Sequence, residues 1–150
     1  MDYFISGTVP APIEFNQNSY GLYLLGEYGE SSAIGFKSGI NDFKKGTLSI
    51  SVQIEFYADR DGDGIWVARG RQVSFFEFEN PGLLKRGPTK KAISILKECT
   101  DLAQAYCYAN FSFEGSRNKL PMMPSIVQPF IETEKAIMDF LAKHNELKKK

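Results

Sequence analysis

Residues 47–79, TLSISVQIEFYADRDGDGIWVARGRQVSFFEFE, decide the fold. Leu48, Ile50, Val52, Ile54 and Phe56 alternate with Thr47, Ser49, Ser51, Gln53, Glu55 and Tyr57. Successive side chains of a strand point to opposite faces, so this alternation turns one apolar face toward a core. Asp59-Arg60-Asp61-Gly62-Asp63-Gly64 breaks the pattern, and a second strand-like run follows from Ile65 to Glu79. Two long strands joined by Gly/Asp-rich residues predict a β-hairpin. The second strand is irregular: Gly70 and the adjacent Phe75-Phe76 predict a bulge or bend.

Upstream, Tyr3–Val9 reads as a short strand stopped by Pro10 and Pro12, which cannot donate to a ladder. Asn16–Ser19 has turn chemistry, Tyr20–Leu25 reads as a second strand, and residues 26–32 as another turn. Ala33–Phe36 reads as a third, short strand, and Ile40–Gly46 as a polar connection. Downstream, Asn80-Pro81-Gly82 ends the sheet. Gly87-Pro88-Thr89 signals a helix start. Ile95 or Leu96, Cys99, Leu102 or Ala103, Tyr106 and Ala109 or Asn110 recur at helical spacing to about Tyr108. Phe111-Ser112-Phe113 is a last short strand or a frayed helix end. Gly115–Gln128 is a long connection with two prolines, and Pro129 opens an amphipathic helix to about Leu147. Strands first and helices after predict a single α+β domain over residues 1–150. It is an antiparallel β-meander of four to six strands with a long central hairpin, followed by two α-helices packed on one face.

A chain of 150 residues, 43% apolar, is long enough to bury a core without staples. Its net charge is zero. Residues 1–43 carry five acidic side chains against Lys37, and the middle third is modestly basic. That balance weighs against a general duplex-DNA binder, which usually shows a strong basic excess. Cys99 and Cys107 sit eight apart in a predicted helix, about 12 Å along its axis. That is beyond the ~7 Å a disulfide tolerates. Free thiols, no secretory signature at Met1-Asp2-Tyr3-Phe4 and no apolar run of membrane length predict a cytoplasmic location and no membrane partner.

Candidate chemistry is sparse. Asp59, Asp61 and Asp63 match the first half of a calcium loop, but the twelfth position, where a bidentate Glu belongs, is Gly70. A hairpin rich in Asp and Gly for conformational reasons is the better reading, so no metal is expected. The one histidine, His144, lies beside the lysine tail and has no nucleophile to serve. Cys99 belongs to the apolar stripe. No cofactor motif occurs, and the chain is not expected to be an enzyme.

Three groups remain. Leu120, Met122 and Met123, in the proline-containing connection, are adaptable apolar contacts. Arg69 and Arg71 place two cations on the hairpin. Lys85, Arg86, Lys90 and Lys91 crowd a helix N-terminus, where the dipole favours anions, and Trp66 and Phe76 add aromatics. The expectation is a non-enzymatic intracellular binding protein of inhibitor, immunity or adaptor type, microbial or viral. It docks onto another protein through Leu120, Met122, Met123, Arg69 and Arg71. The alternative is a single-stranded nucleic-acid binder that uses Lys85, Arg86, Lys90, Lys91, Trp66 and Phe76.

Overall fold

The computed structural model describes residues 2–28, 32–60, 62–84, 89–120 and 137–143. Thr47–Tyr57 forms a strand as its alternation requires. β1 is Tyr3–Pro10, β2 Glu14–Phe15, β3 Ser32–Lys44, β4 Thr47–Arg60 and β5 Asp63–Phe78. All pair antiparallel in the order β1-β5-β4-β3, with β2 also on β5. Thus β3, β4 and β5 form the meander, and β1 returns to lie beside its last strand. The helices are α1 (Gln17–Leu24), α2 (Lys90–Arg117) and a segment α3 at residues 137–143, with a 3-10 turn at Pro81–Leu84. The architecture is α+β with an open sheet.

The apolar side of β4 is the centre of the core: Leu48, Ile50, Ile54 and Phe56 are fully buried and Val52 nearly so. α2 covers it with Ala92, Ile95, Leu96, Cys99, Ala103, Cys107 and Phe111. Thr89 caps this helix, its hydroxyl accepting from the Ala92 amide at 3.1 Å, as an N-cap threonine should. α3 adds Ile137 and Leu141. No helix among the described residues is long and apolar enough to cross a membrane.

Several local expectations are corrected. Residues 20–25 are not a strand; α1 occupies Gln17–Leu24. Tertiary contacts override the β preference of its tyrosines. Tyr20 and Tyr23, three apart on one helical face, lie against Phe15 and Phe56. The Asn16 and Ser19 side chains both donate to the Trp66 carbonyl, at 3.2 and 2.6 Å. The short third strand is instead thirteen residues long and absorbs the expected polar connection. It turns into β4 through Lys45 and Gly46 alone, whose φ values of 53° and 81° are those of a two-residue hairpin turn.

β5's own bulge is at Val67, where Phe56 pairs with Ala68 but Tyr57 pairs with Trp66. Val67 and Ala68 therefore both face the core, and from there even-numbered residues to Phe78 point inward. At Phe75-Phe76 the register also shifts, with the extra residue Ser6 on β1 between Ile5 (opposite Phe76) and Gly7 (opposite Phe75), and at Gly70 there is no shift. Gly70 has a different cause. A Cβ there would lie 2.4 Å from the Phe111 ring, so glycine lets α2 approach the strand. Phe111-Ser112-Phe113 is helical, and α2 continues through residues assigned to the long connection as far as Arg117. On α2 the buried stripe runs through Ala103 and Cys107; Leu102 and Tyr106 are outward and exposed.

Candidate functional site

The other side of the sheet has no described helix against it. Strand pairing sets its side chains in rows across the strands. One row is Val9, Val73, Ser51 and Gly39, taken from β1, β5, β4 and β3 in turn. The next is Arg71, Gln53 and Lys37. The row beyond is Glu14, Arg69, Glu55 and Gly35. Small residues in the first row, between larger neighbours, leave a trough of about 580 Å³ across four strands. A Cβ added at Gly39 would meet nothing within 4 Å. The trough has apolar walls at Val9 and Val73, and its charged lining is Lys37 and Arg71.

The flank of this trough is a polar network centred on Glu55, only 7% exposed. Its carboxylate accepts from Tyr57 and Gln53 and pairs with Arg69 at 3.3 Å. Burial pushes the Glu55 carboxyl up. The Tyr57 hydrogen bond, the Arg69 and Lys37 charges and the Gln53 hydrogen bond more than offset it, leaving the carboxyl below its ordinary value of 4.5. Donating that same bond to Glu55, together with burial and the Glu55 charge, leaves the Tyr57 phenol raised. Arg69 also pairs with Glu14 at 3.8 Å and lies over the Trp66 ring, 4.4 Å from its centroid. Arg69 is thus held by ion pairs and a ring contact, its buried Nε making no hydrogen bond among the described residues. Arg71 is looser: half exposed, it reaches Glu14 at 3.6 Å and donates to Gln53 at 3.0 Å. Lys37 is exposed and makes no salt bridge among the described residues.

Of the residues expected to bind a partner, Arg69 and Arg71 therefore share the outward face. Leu120 is buried against Gly115, and Met122 and Met123 lie outside the described residues. The nucleic-acid set is dispersed. Phe76 is fully buried on the inward face, whereas Trp66 is on the outward one beneath Arg69. Lys91 pairs with Asp2 at 3.8 Å, near the start of β1, which pairs with the far end of β5. Trp66 and Phe78 are twelve residues apart on β5, about 40 Å at 3.3 Å per residue. Lys85 and Arg86 lie outside the described residues. Asp59 and Asp63 sit opposite Gly64 and Arg60 across the β4–β5 hairpin; Asp61 and His144 lie outside the described residues. Cys99 and Cys107 are buried free thiols, pushed up to about 12 by desolvation, and so carry no thiolate at neutral pH.

Glu55, Gln53, Lys37, Gly39 and Val73 were not legible as a site. Their only sequence signal is that they occupy the polar or small positions of alternating strands. What makes them a site is cross-strand register, which depends on the bulges at Val67 and at Asn41.

No family model and no curated protein matches this chain. Its fold does have a solved counterpart. The chain resembles Mycobacterium tuberculosis Rv1957, a SecB-like chaperone solved in complex with a ChAD peptide from the Rv1956 HigA1 antitoxin. The TM-score is 0.55 at 8% identity, covering 85% of this chain and 91% of that one. At that identity the likeness is one of fold alone. A protein of unknown function from Streptococcus agalactiae aligns over 85% of this chain and 99% of its own, with 11% identity. Its TM-score of 0.29 carries no argument.

Proposed function

We propose that this chain is a non-enzymatic binding protein that docks onto a polypeptide partner through the outward face of its sheet. The observation that carries the reading is the trough across β1, β5, β4 and β3, walled by Val9 and Val73 and floored by Gly39 and Ser51. A concave surface with apolar walls and a few convergent polar groups is the usual form of a binding site. The solved Rv1957 complex, in which a chaperone of this fold holds a peptide of another protein, supports the same reading. An inhibitor, immunity or adaptor role in a microbial or viral cytoplasm fits it. A single-stranded nucleic acid fits less well, because the outward aromatic Trp66 is covered by Arg69 and no ring among the described residues lines the trough.

Gly39→Trp tests the reading, because it fills the trough where a side chain meets no neighbour. Affinity capture from nuclease-treated source lysate, followed by mass spectrometry, should recover a protein on the parent chain and lose it on Gly39→Trp. Capture that is destroyed by nuclease, or is equal on both chains, contradicts the proposal.

A further inference from the structure

We infer that the trough takes an extended acidic segment of the partner, with its carboxylates on Lys37 and Arg71 and its apolar side chains against Val9 and Val73. This rests on the polypeptide-docking reading and adds the chemistry of the segment. Charge complementarity carries it. Among the described residues, those lining the trough include two cations and no carboxylate. Lys37 makes no salt bridge among the described residues, although its charge acts on Glu55 across the strands. Arg71 is held by an exposed pair with Glu14, the kind of contact that contributes little and is readily exchanged, and by an exposed hydrogen bond to Gln53. Arg69, by contrast, is fixed between Glu55, Glu14 and Trp66 and has little to offer a newcomer.

Geometry agrees with charge. Lys37 and Arg71 stand on β3 and β5, either side of Gln53 on β4. Two strand spacings separate them, about 9–10 Å. Same-side residues of an extended chain repeat every ~6.6–7 Å, so flexible lysine and arginine side chains reach carboxylates two residues apart. The adjoining row of Val9, Val73, Ser51 and Gly39 leaves apolar side chains somewhere to go, which a phosphate backbone would not use. Electrostatic complementarity of this kind selects partners and speeds encounter more than it adds affinity.

The test uses fluorescence anisotropy of the full chain with labelled short peptides alternating Glu and Val, Gln and Val, or Lys and Val, and a labelled oligothymidylate. The Glu peptide should bind saturably and about tenfold more tightly than the Gln peptide, with the difference shrinking in salt. The Lys37→Glu/Arg71→Glu double variant should reverse the preference toward the Lys peptide. Gly39→Trp should abolish binding of all three, with unchanged urea midpoints showing that both variants fold. Equal binding of Glu and Gln peptides, both lost in Gly39→Trp, overturns the acidic assignment and leaves polypeptide docking standing. Peptide binding that persists in Gly39→Trp overturns both. Oligothymidylate binding tighter than the Glu peptide and lost in the double variant overturns the inference in favour of a nucleic acid.

Discussion

The two faces of β4 are written by alternate residues of one strand, yet they do different work. Inward, Leu48, Ile50, Val52, Ile54 and Phe56 meet α2 and hold the fold together by apolar burial. Outward, Ser49, Ser51, Gln53, Glu55 and Tyr57 build a hydrogen-bonded surface with a trough beside it. Stability should therefore be decided on one face and partner choice on the other. The sharpest break of that comparison is a charge on each face in turn. Ile54→Asp buries an unpaired carboxylate and should cost about 4 kcal/mol or more, enough to unfold the chain. Ser51→Asp should stay within about 0.5 kcal/mol. Urea denaturation followed by circular dichroism measures both, and equal loss would mean that the outward face is covered.

Two glycines give the next contrast. Gly70→Ala drives a methyl into Phe111 and should cost about 1–3 kcal/mol. Phe111→Leu should recover part of that in a double-mutant cycle. Gly39→Ala has open space and an extended backbone, so it should be neutral or stabilising by about 0.5–1 kcal/mol.

Acid separates the faces more gently. Because folding lowers the Glu55 pKa, its contribution is complete above the unfolded value and is lost as pH falls through the folded one. Glu55→Gln should be less stable than the parent at neutral pH. Its denaturation midpoint should fall less than the parent's between about pH 5 and about pH 3. The smallest effect is expected from Asp2→Asn, which removes the exposed pair with Lys91 and should change stability by less than about 0.5 kcal/mol.

How much of this the sequence discloses follows from what each feature depends on. The central hairpin and the start of α2 rest on local pattern, in the alternation of residues 47–57 and the Gly87-Pro88-Thr89 start signal, and both are legible. α1 is not, because Tyr20 and Tyr23 look like strand residues until Phe15 and Phe56 are in place to receive them. The length of β3 is hidden by Gly35, Gly39 and its polar outward residues, which read as a connection in isolation. The candidate site is less legible still. Arg69 and Arg71 stand out as cations. Which of them is spent on Glu55, and which is left facing the trough with Lys37, is fixed only by cross-strand register, which depends on the bulges at Val67 and Asn41.

The most direct measurement is site-specific photo-crosslinking, with the reactive side chain at Val73 on the outward sheet face or at Tyr106 on the exposed stripe that α2 presents with Leu102 and Phe113. The partner should be captured from Val73 and not from Tyr106, and the Glu/Val peptide should compete it away. Capture from Tyr106 with none from Val73 would place docking on the helix and contradict the division of labour between the two faces of the sheet.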